Sequence, residues 1–211
     1  TLKGDANEVI VLSTGGAAGA DITLSSTLGN INGESISFNS GNAGNVTVTG
    51  AVGDLGTGDI TVTNAKDVTF SSTVTADTFT QVAGTGTTTF GGKLDLDGAF
   101  GFTGSALTLN GAGNTVDGNM TVANAGVFTT GNAADLTVGG ALTQSGVGSN
   151  ILGENITTTG AMTFTGNVTL KGDANEVIVL STGGAAGADI TLSGTLGNTA
   201  GESISFNSGG A

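Results

Sequence analysis

The chain is predicted to be all-β: a parallel β-helix (β-solenoid) with coils of roughly 20–25 residues. Three observations lead there. A short alternating motif recurs along the whole chain, Gly- and Asn-rich corners separate its occurrences, and the first 43 residues return near the end.

The motif is apolar–Thr/Ser–apolar, usually preceded by Asp, Asn or Ala. It reads ADITL (20–24), ESISF (34–38), NVTV (45–48), GDITV (58–62), KDVTF (66–70), ALTL (106–109), NMTV (119–122), ADLTV (134–138), AMTF (161–164) and NVTL (167–170). Alternation with period two in Val, Ile, Thr and Phe is the mark of a half-buried strand. The apolar positions Ile22, Leu24, Ile36, Phe38, Val46, Val48, Ile60, Val62, Val68 and Phe70 are therefore expected to point inward. Between the strands lie GGAAGA (15–20), GNAGN (41–45), GDLGTG (53–58), GTG (84–86), NGAGN (110–114) and GVGSN (146–150). Gly and Asn tolerate the positive φ that tight corners demand. No stretch carries a capped 3.6-residue apolar stripe, so no helix is expected. LDLDG (94–98), AFGF (99–102) and ALTL (106–109) crowd together, and the register there cannot be read from spacing.

The long repeat sets the organisation. Residues 1–43 align with 169–211, and 39 of the 43 pairs are identical; the differences are Ser26/Gly194, Ile31/Thr199, Asn32/Ala200 and Asn42/Gly210. The chain is thus read as one tandem unit, 1–168, and the start of a second, 169–211, in a continuous solenoid without a linker. Seven or eight coils per unit, stacked about 4.8 Å apart, would rise roughly 35 Å. The abrupt ends of the pattern read as cuts through a longer array. Open terminal coils template further strands, so continuation or end-to-end self-association into filaments is expected.

Composition narrows the function. There are 40 Gly and no Pro, Cys, His, Trp, Tyr or Arg; four Lys face 17 carboxylates, for a net charge of −13. The absence of Pro suits strands paired on both sides. Nucleic acid is not an expected partner, because polyphosphate binding requires clustered cations. No run approaches the ~20 apolar residues of a membrane helix, and membrane insertion is not expected. The runner-up fold, an array of Ig-like sandwiches, is disfavoured by the missing Trp and the frequent turns.

Strings such as GDITVTNAKDVTFSSTVTADTF, GNVTVTG and GAMTFTGNVTLKG resemble the low-complexity β repeats of giant bacterial surface proteins, the filamentous-haemagglutinin-like adhesins and related extracellular fibre proteins. The resemblance covers nearly the whole chain. It implies an exported, right-handed β-helix, extracellular or at the cell surface, acting as a fibre, stalk or sheath. The alternative is an adhesin shaft in contact with a cell surface or glycan, with calcium as a stabiliser drawn from the acidic motifs below.

Chemistry beyond scaffolding finds few residues. His- and Cys-based catalysis and metal sites lack their side chains, and no enzyme is expected. Asp95 and Asp97 in LDLDG share a strand face, the arrangement a glycosidic acid/base pair would need, but the Trp and Tyr platforms of a glycan cleft are missing. Calcium favours Asp, Asn and carbonyl oxygens. The candidate ligands are Asp5, Asp21, Asp95, Asp97, Asp173 and Asp189, drawn from GDANE (4–8), GGAAGAD (15–21 and 183–189) and LDLDG; no other cofactor is expected. Thr triplets at 47–49, 61–63, 73–75, 87–89 and 157–159 fall at uneven spacing, which argues against an ice-ordering rank. The sequons at Asn45, Asn119, Asn155 and Asn167 carry little weight as glycosylation sites.

Overall fold

The computed structural model describes residues 1–5, 8–15, 19–29, 33–53, 58–183 and 186–209. Parts of the corners GDANE, GGAAGA, GDLGTG and GGAAGAD lie outside the described residues. Twenty-five strands, numbered in chain order, form three parallel sheets, and among the described residues there is no helix.

The chain visits the three faces in rotation. Face one holds β1 (Val9–Ser13), β3 (Ser35–Asn39), β5 (Ile60–Asn64), β8 (Phe79–Gln81), β11 (Phe100–Gly104), β14 (Met120–Asn124), β17 (Leu142–Gln144), β20 (Met162–Phe164) and β23 (Ile190–Leu192). Face two holds β2 (Ile22–Leu24), β4 (Val46–Val48), β6 (Val68–Phe70), β9 (Thr87–Phe90), β12 (Ala106–Leu109), β15 (Val127–Thr130), β18 (Ser149–Leu152), β21 (Val168–Leu170) and β24 (Leu196–Asn198). Face three holds β7 (Val74–Ala76), β10 (Leu94–Leu96), β13 (Asn114–Val116), β16 (Leu136–Val138), β19 (Ile156–Thr158), β22 (Val177–Ser181) and β25 (Ser203–Asn207). It begins with single bridges from Leu28 to Val52 and from Val52 to Val74. The nine strands of face one bound eight turns of a β-solenoid.

Coil length follows from the register. Ile10, Ile36, Ile60, Phe79, Phe100, Met120, Leu142, Met162 and Ile190 stack in one column, so coils run from 19 to 28 residues. The range is wider than 20–25 because corners, not strands, absorb length. The longest coil, from Met162 to Ile190, carries extended corners before and after β22. The crowded stretch resolves simply: LDL, FGF and ALTL are β10, β11 and β12, one strand on each face with short corners between them.

The interior is a thin stack of apolar columns. Of the ten residues expected inward, eight are buried at 3% exposure or less; Ile22 and Leu24 pack against the core but stay half-exposed in the first coil. Large side chains concentrate mid-rod. Phe79 stacks on Phe100 at 5.1 Å, Phe70 on Phe90 at 5.2 Å, and Phe79 meets Phe90 edge-on at 5.1 Å. Such pairs add about 0.5–1.5 kcal/mol beyond area burial, so this ladder anchors the coils that lack long corners.

Where Asp or Asn precedes a strand, as before β2, β4, β6, β14 and β21, it has a structural reason. Its backbone carbonyl accepts the N–H that opens the strand in the preceding coil, as Asn45 does for Ile22 (2.8 Å) and Asp67 for Val46 (2.8 Å). Its side chain binds onward: Asp21 Oδ1 accepts the Asn45 N–H (2.7 Å), Asn45 Oδ1 the Asp67 N–H (3.3 Å), and Asp67 Oδ1 the Thr87 N–H (2.8 Å). Corner amides that have left the ladder are thereby satisfied. Thr169, where the repeat of residues 1–43 begins in the sequence, lies in β21, which pairs with β18 and β24 on either side.

Candidate functional site

A site on this rod must be built from its outer columns or its corners. The central outward residue is Thr in most strands. On face two the column runs Thr23, Thr47, Thr69, Thr89, Thr108, Thr129, Ile151, Thr169 and Gly197. On face one it runs Ser37, Thr61, Thr80, Gly101, Thr121, Thr143, Thr163 and Thr191. The Thr residues thus stand in register although the triplets that contain them are unevenly spaced, since variable corners take up the difference. Each column is one Thr wide. Face two is flanked by Asp21, Asn45 and Asp67 rather than by a second Thr rank.

The four sequons are the strand-opening motif itself. The Oδ1 atoms of Asn119, Asn155 and Asn167 accept the N–H groups of Ala141 (2.9 Å), Val179 (2.7 Å) and Thr195 (3.0 Å), as Asn45 does for Asp67. Their Thr two residues on belongs to the outer column.

The calcium candidates are placed separately. Asp5 and Asp173 are each bonded to the Glu three residues on: Glu8 Oε2 accepts the Asp5 N–H (3.1 Å) and Glu176 Oε2 the Asp173 N–H (2.7 Å). Asp173 Oδ1 also accepts Asn132 Nδ2 at 3.0 Å. Asp21 opens β2 and Asp189 opens β23. Asp173 and Asp189 lie beyond opposite ends of β22, whose five residues span about 16 Å. Asp95 takes the outward place of a Thr in β10, where Lys93 Nζ pairs with its carboxylate at 3.1 Å and Thr115 donates a short hydrogen bond. The Thr115 hydroxyl first, and Lys93 second, hold its carboxyl below the usual range despite partial burial. Asp97 follows β10 and stacks between Asp77 and Asp117 at the same corner of adjacent coils, as the bonds from the Asp97 N–H to the Ala76 carbonyl (3.1 Å) and from the Asp117 N–H to the Leu96 carbonyl (2.9 Å) require. Among the described residues, no group of three or more carboxylates is close enough to hold a metal ion.

Two sets of polar residues escaped the sequence reading. Glu34 and its copy Glu202 are 2% and 3% exposed. Glu34 Oε1 accepts the Gly4 N–H at 2.9 Å. Glu202 accepts the N–H groups of Ala200 (2.7 Å) and Thr199 (3.1 Å) and the Thr199 hydroxyl (3.1 Å). These contacts, the Ala200 amide foremost, keep the Glu202 carboxyl below its usual range. Gln81 and Gln144 point inward in the column of Phe38, Val62, Phe102 and Phe164; Gln81 Oε1 accepts the hydroxyl of Thr88 in β9 (2.6 Å), and Gln144 Oε1 accepts the corner N–H of Gly166 (3.0 Å). The signal for both is positional: Glu follows a Gly corner in each copy, and Gln sits two residues past an inward apolar one.

An open groove follows the corner after face one, lined by Val82, Ala83, Thr103, Ala123, Ala125 and Val147, with Val82 55% and Val147 92% exposed. Eight of the nine Phe are buried; Phe206, in the last described coil, is 49% exposed. No helix is long and apolar enough to cross a membrane among the described residues. No protein-family model, curated protein or solved structure matches the chain.

Proposed function

We propose that the chain is a structural segment of an exported, tandemly repeated β-solenoid that forms an extracellular fibre, stalk or sheath. One observation carries the reading: the strands of the stretch that repeats the first 43 residues pair directly onto the coils before them, β21 on β18, β22 on β19 and β23 on β20, so the second copy extends the first without a linker. Axial hydrogen bonding, thin apolar packing and a Thr/Asn/Asp exterior are the chemistry of such a shaft. Each unit adds a net charge of −10, from three Lys and 13 carboxylates in residues 1–168. That charge keeps shafts soluble and apart at low ionic strength.

Antibody labelling of intact cells followed by electron microscopy tests it. Labelled filaments on the cell surface support the reading, and label confined to the cell interior refutes it. An adhesive shaft is the second reading, favoured by the apolar groove at Val82 and Val147. It predicts that V147D weakens attachment to a surface or glycan without shortening the filament.

A further inference from the structure

The two copies of the repeat do not lie on the same faces. β1 is on face one, but its copy β22 is on face three; β2 is on face two, but β23 is on face one; Leu28 bridges on face three, but its copy Leu196 lies in β24 on face two. The first and third strands of each copy keep the same register. Val9 pairs with Ser35 and Leu12 with Phe38, as Val177 pairs with Ser203 and Leu180 with Phe206. The displacement is therefore a rotation of the whole pattern by one face. From β1 to β22 the chain takes 21 strand steps, and the bridge positions at Leu28 and Val52 add two more. Twenty-three steps over three faces are seven and two-thirds turns.

We infer that the 168-residue unit is a screw element: each added unit rises about 37 Å along the axis and carries every outer side chain one face round. The extension to a long array rests on the fibre reading above; the rotation between the two copies in this chain does not. The faces accept the exchange because each offers the same thing, a parallel ladder with an inward apolar column and an outward Thr. A whole number of turns would instead repeat one face along the rod and concentrate the Asp77–Asp97–Asp117 row on one side. With the screw, that row and the uncharged Thr column of face one pass around the axis together. Any side contact that one unit makes therefore recurs in three directions along the array.

The test uses paired cysteines in this chain, which has none of its own. Thr163 and Thr191 are outward neighbours on face one, and Thr143 and Thr163 form the same kind of pair within a single copy. Adjacent parallel strands, about 4.8 Å apart, fall within the span a short bridge can close. Had β23 kept the face of β2, Thr191 would stand over Thr169 instead. The expected result is that T163C/T191C closes as readily as T143C/T163C and at least about tenfold faster than T169C/T191C. Preferential closure of T169C/T191C, or failure of T163C/T191C while T143C/T163C closes, overturns the screw. Either result leaves the fibre reading to stand or fall by microscopy.

Discussion

Replacing Gln144 by Leu removes the hydrogen-bonding end of a fully buried side chain while keeping most of its bulk. Its Oε1 accepts the N–H groups of Thr165 (2.9 Å) and Gly166 (3.0 Å), and its Nε2 donates to Asn124 Oδ1 (2.8 Å) and the Gly146 carbonyl (2.9 Å). The Thr165 N–H also reaches the Gln144 carbonyl at 3.2 Å and keeps a partner. The Gly166 N–H and Asn124 Oδ1 lose theirs. A stranded buried polar group costs about 1–3 kcal/mol, so the pair costs about 2–4 kcal/mol at a corner partly open to water. Stability in a solenoid is a sum over neighbouring coils, so the loss is local. Amide hydrogen exchange is the suitable assay. Exchange at Gly166 and across β20 and β21 in Q144L is expected to quicken by roughly 30- to 1,000-fold, while the outward control T143V leaves it near wild type. Equal exchange in Q144L and T143V would refute the argument that inward Gln satisfies the corners.

Four further outcomes are expected. A Cβ on Gly148 would meet the Gly126 carbonyl oxygen, a rigid backbone atom of the coil beneath; G148A should lose about 1–3 kcal/mol by denaturant midpoint, whereas G101A, with nothing nearer than 3.8 Å, should stay within about 0.5 kcal/mol. Asp97 stacks between two like charges, so D97N should raise stability by a few tenths of a kcal/mol, a gain that disappears in high salt; a loss at low salt would contradict the stacking. Asp95 has a folded pKa below its unfolded value. Its contribution is therefore whole above about pH 5 and lost as pH falls through the acid range; T115V should flatten that fall by no more than a few tenths of a kcal/mol, given the exposure of the pair, and an unchanged acid limb would refute the role of Thr115. Calcium or a chelator should leave the melting temperature unchanged, because among the described residues no three carboxylates are close enough to hold a metal ion; a rise of several degrees with calcium would show a site the described residues do not form.

The strands and their inward sides were legible because an alternating apolar–Thr–apolar run has one buried face in any sheet. The face on which each strand lies was not, because all three faces demand the same pattern; only the register of β22 and β23 reveals the one-third turn. Residues 94–109 defeated a spacing argument because corners of three residues or fewer leave little Gly or Asn punctuation between β10, β11 and β12. The Thr columns were hidden in the same way, by corners of unequal length that preserve register in space while breaking it in sequence. Gln144, Gln81 and Glu34 read as surface residues by type, yet hydrogen bonds hold them inward, corner amides for Gln144 and Glu34 and the buried Thr88 hydroxyl for Gln81. Among the candidate ligands, Asp21 was legible as a strand opener; the separation of Asp173 from Asp189 depends on a strand, β22, that stands between them.

The central claim is that the unit adds length without a linker. Electron microscopy of recombinant chains carrying one, two and three complete units tests it most directly. Rods of constant width that lengthen by about 37 Å per unit are the result expected. Beads joined by flexible links, or particles that widen rather than lengthen as units are added, would contradict it.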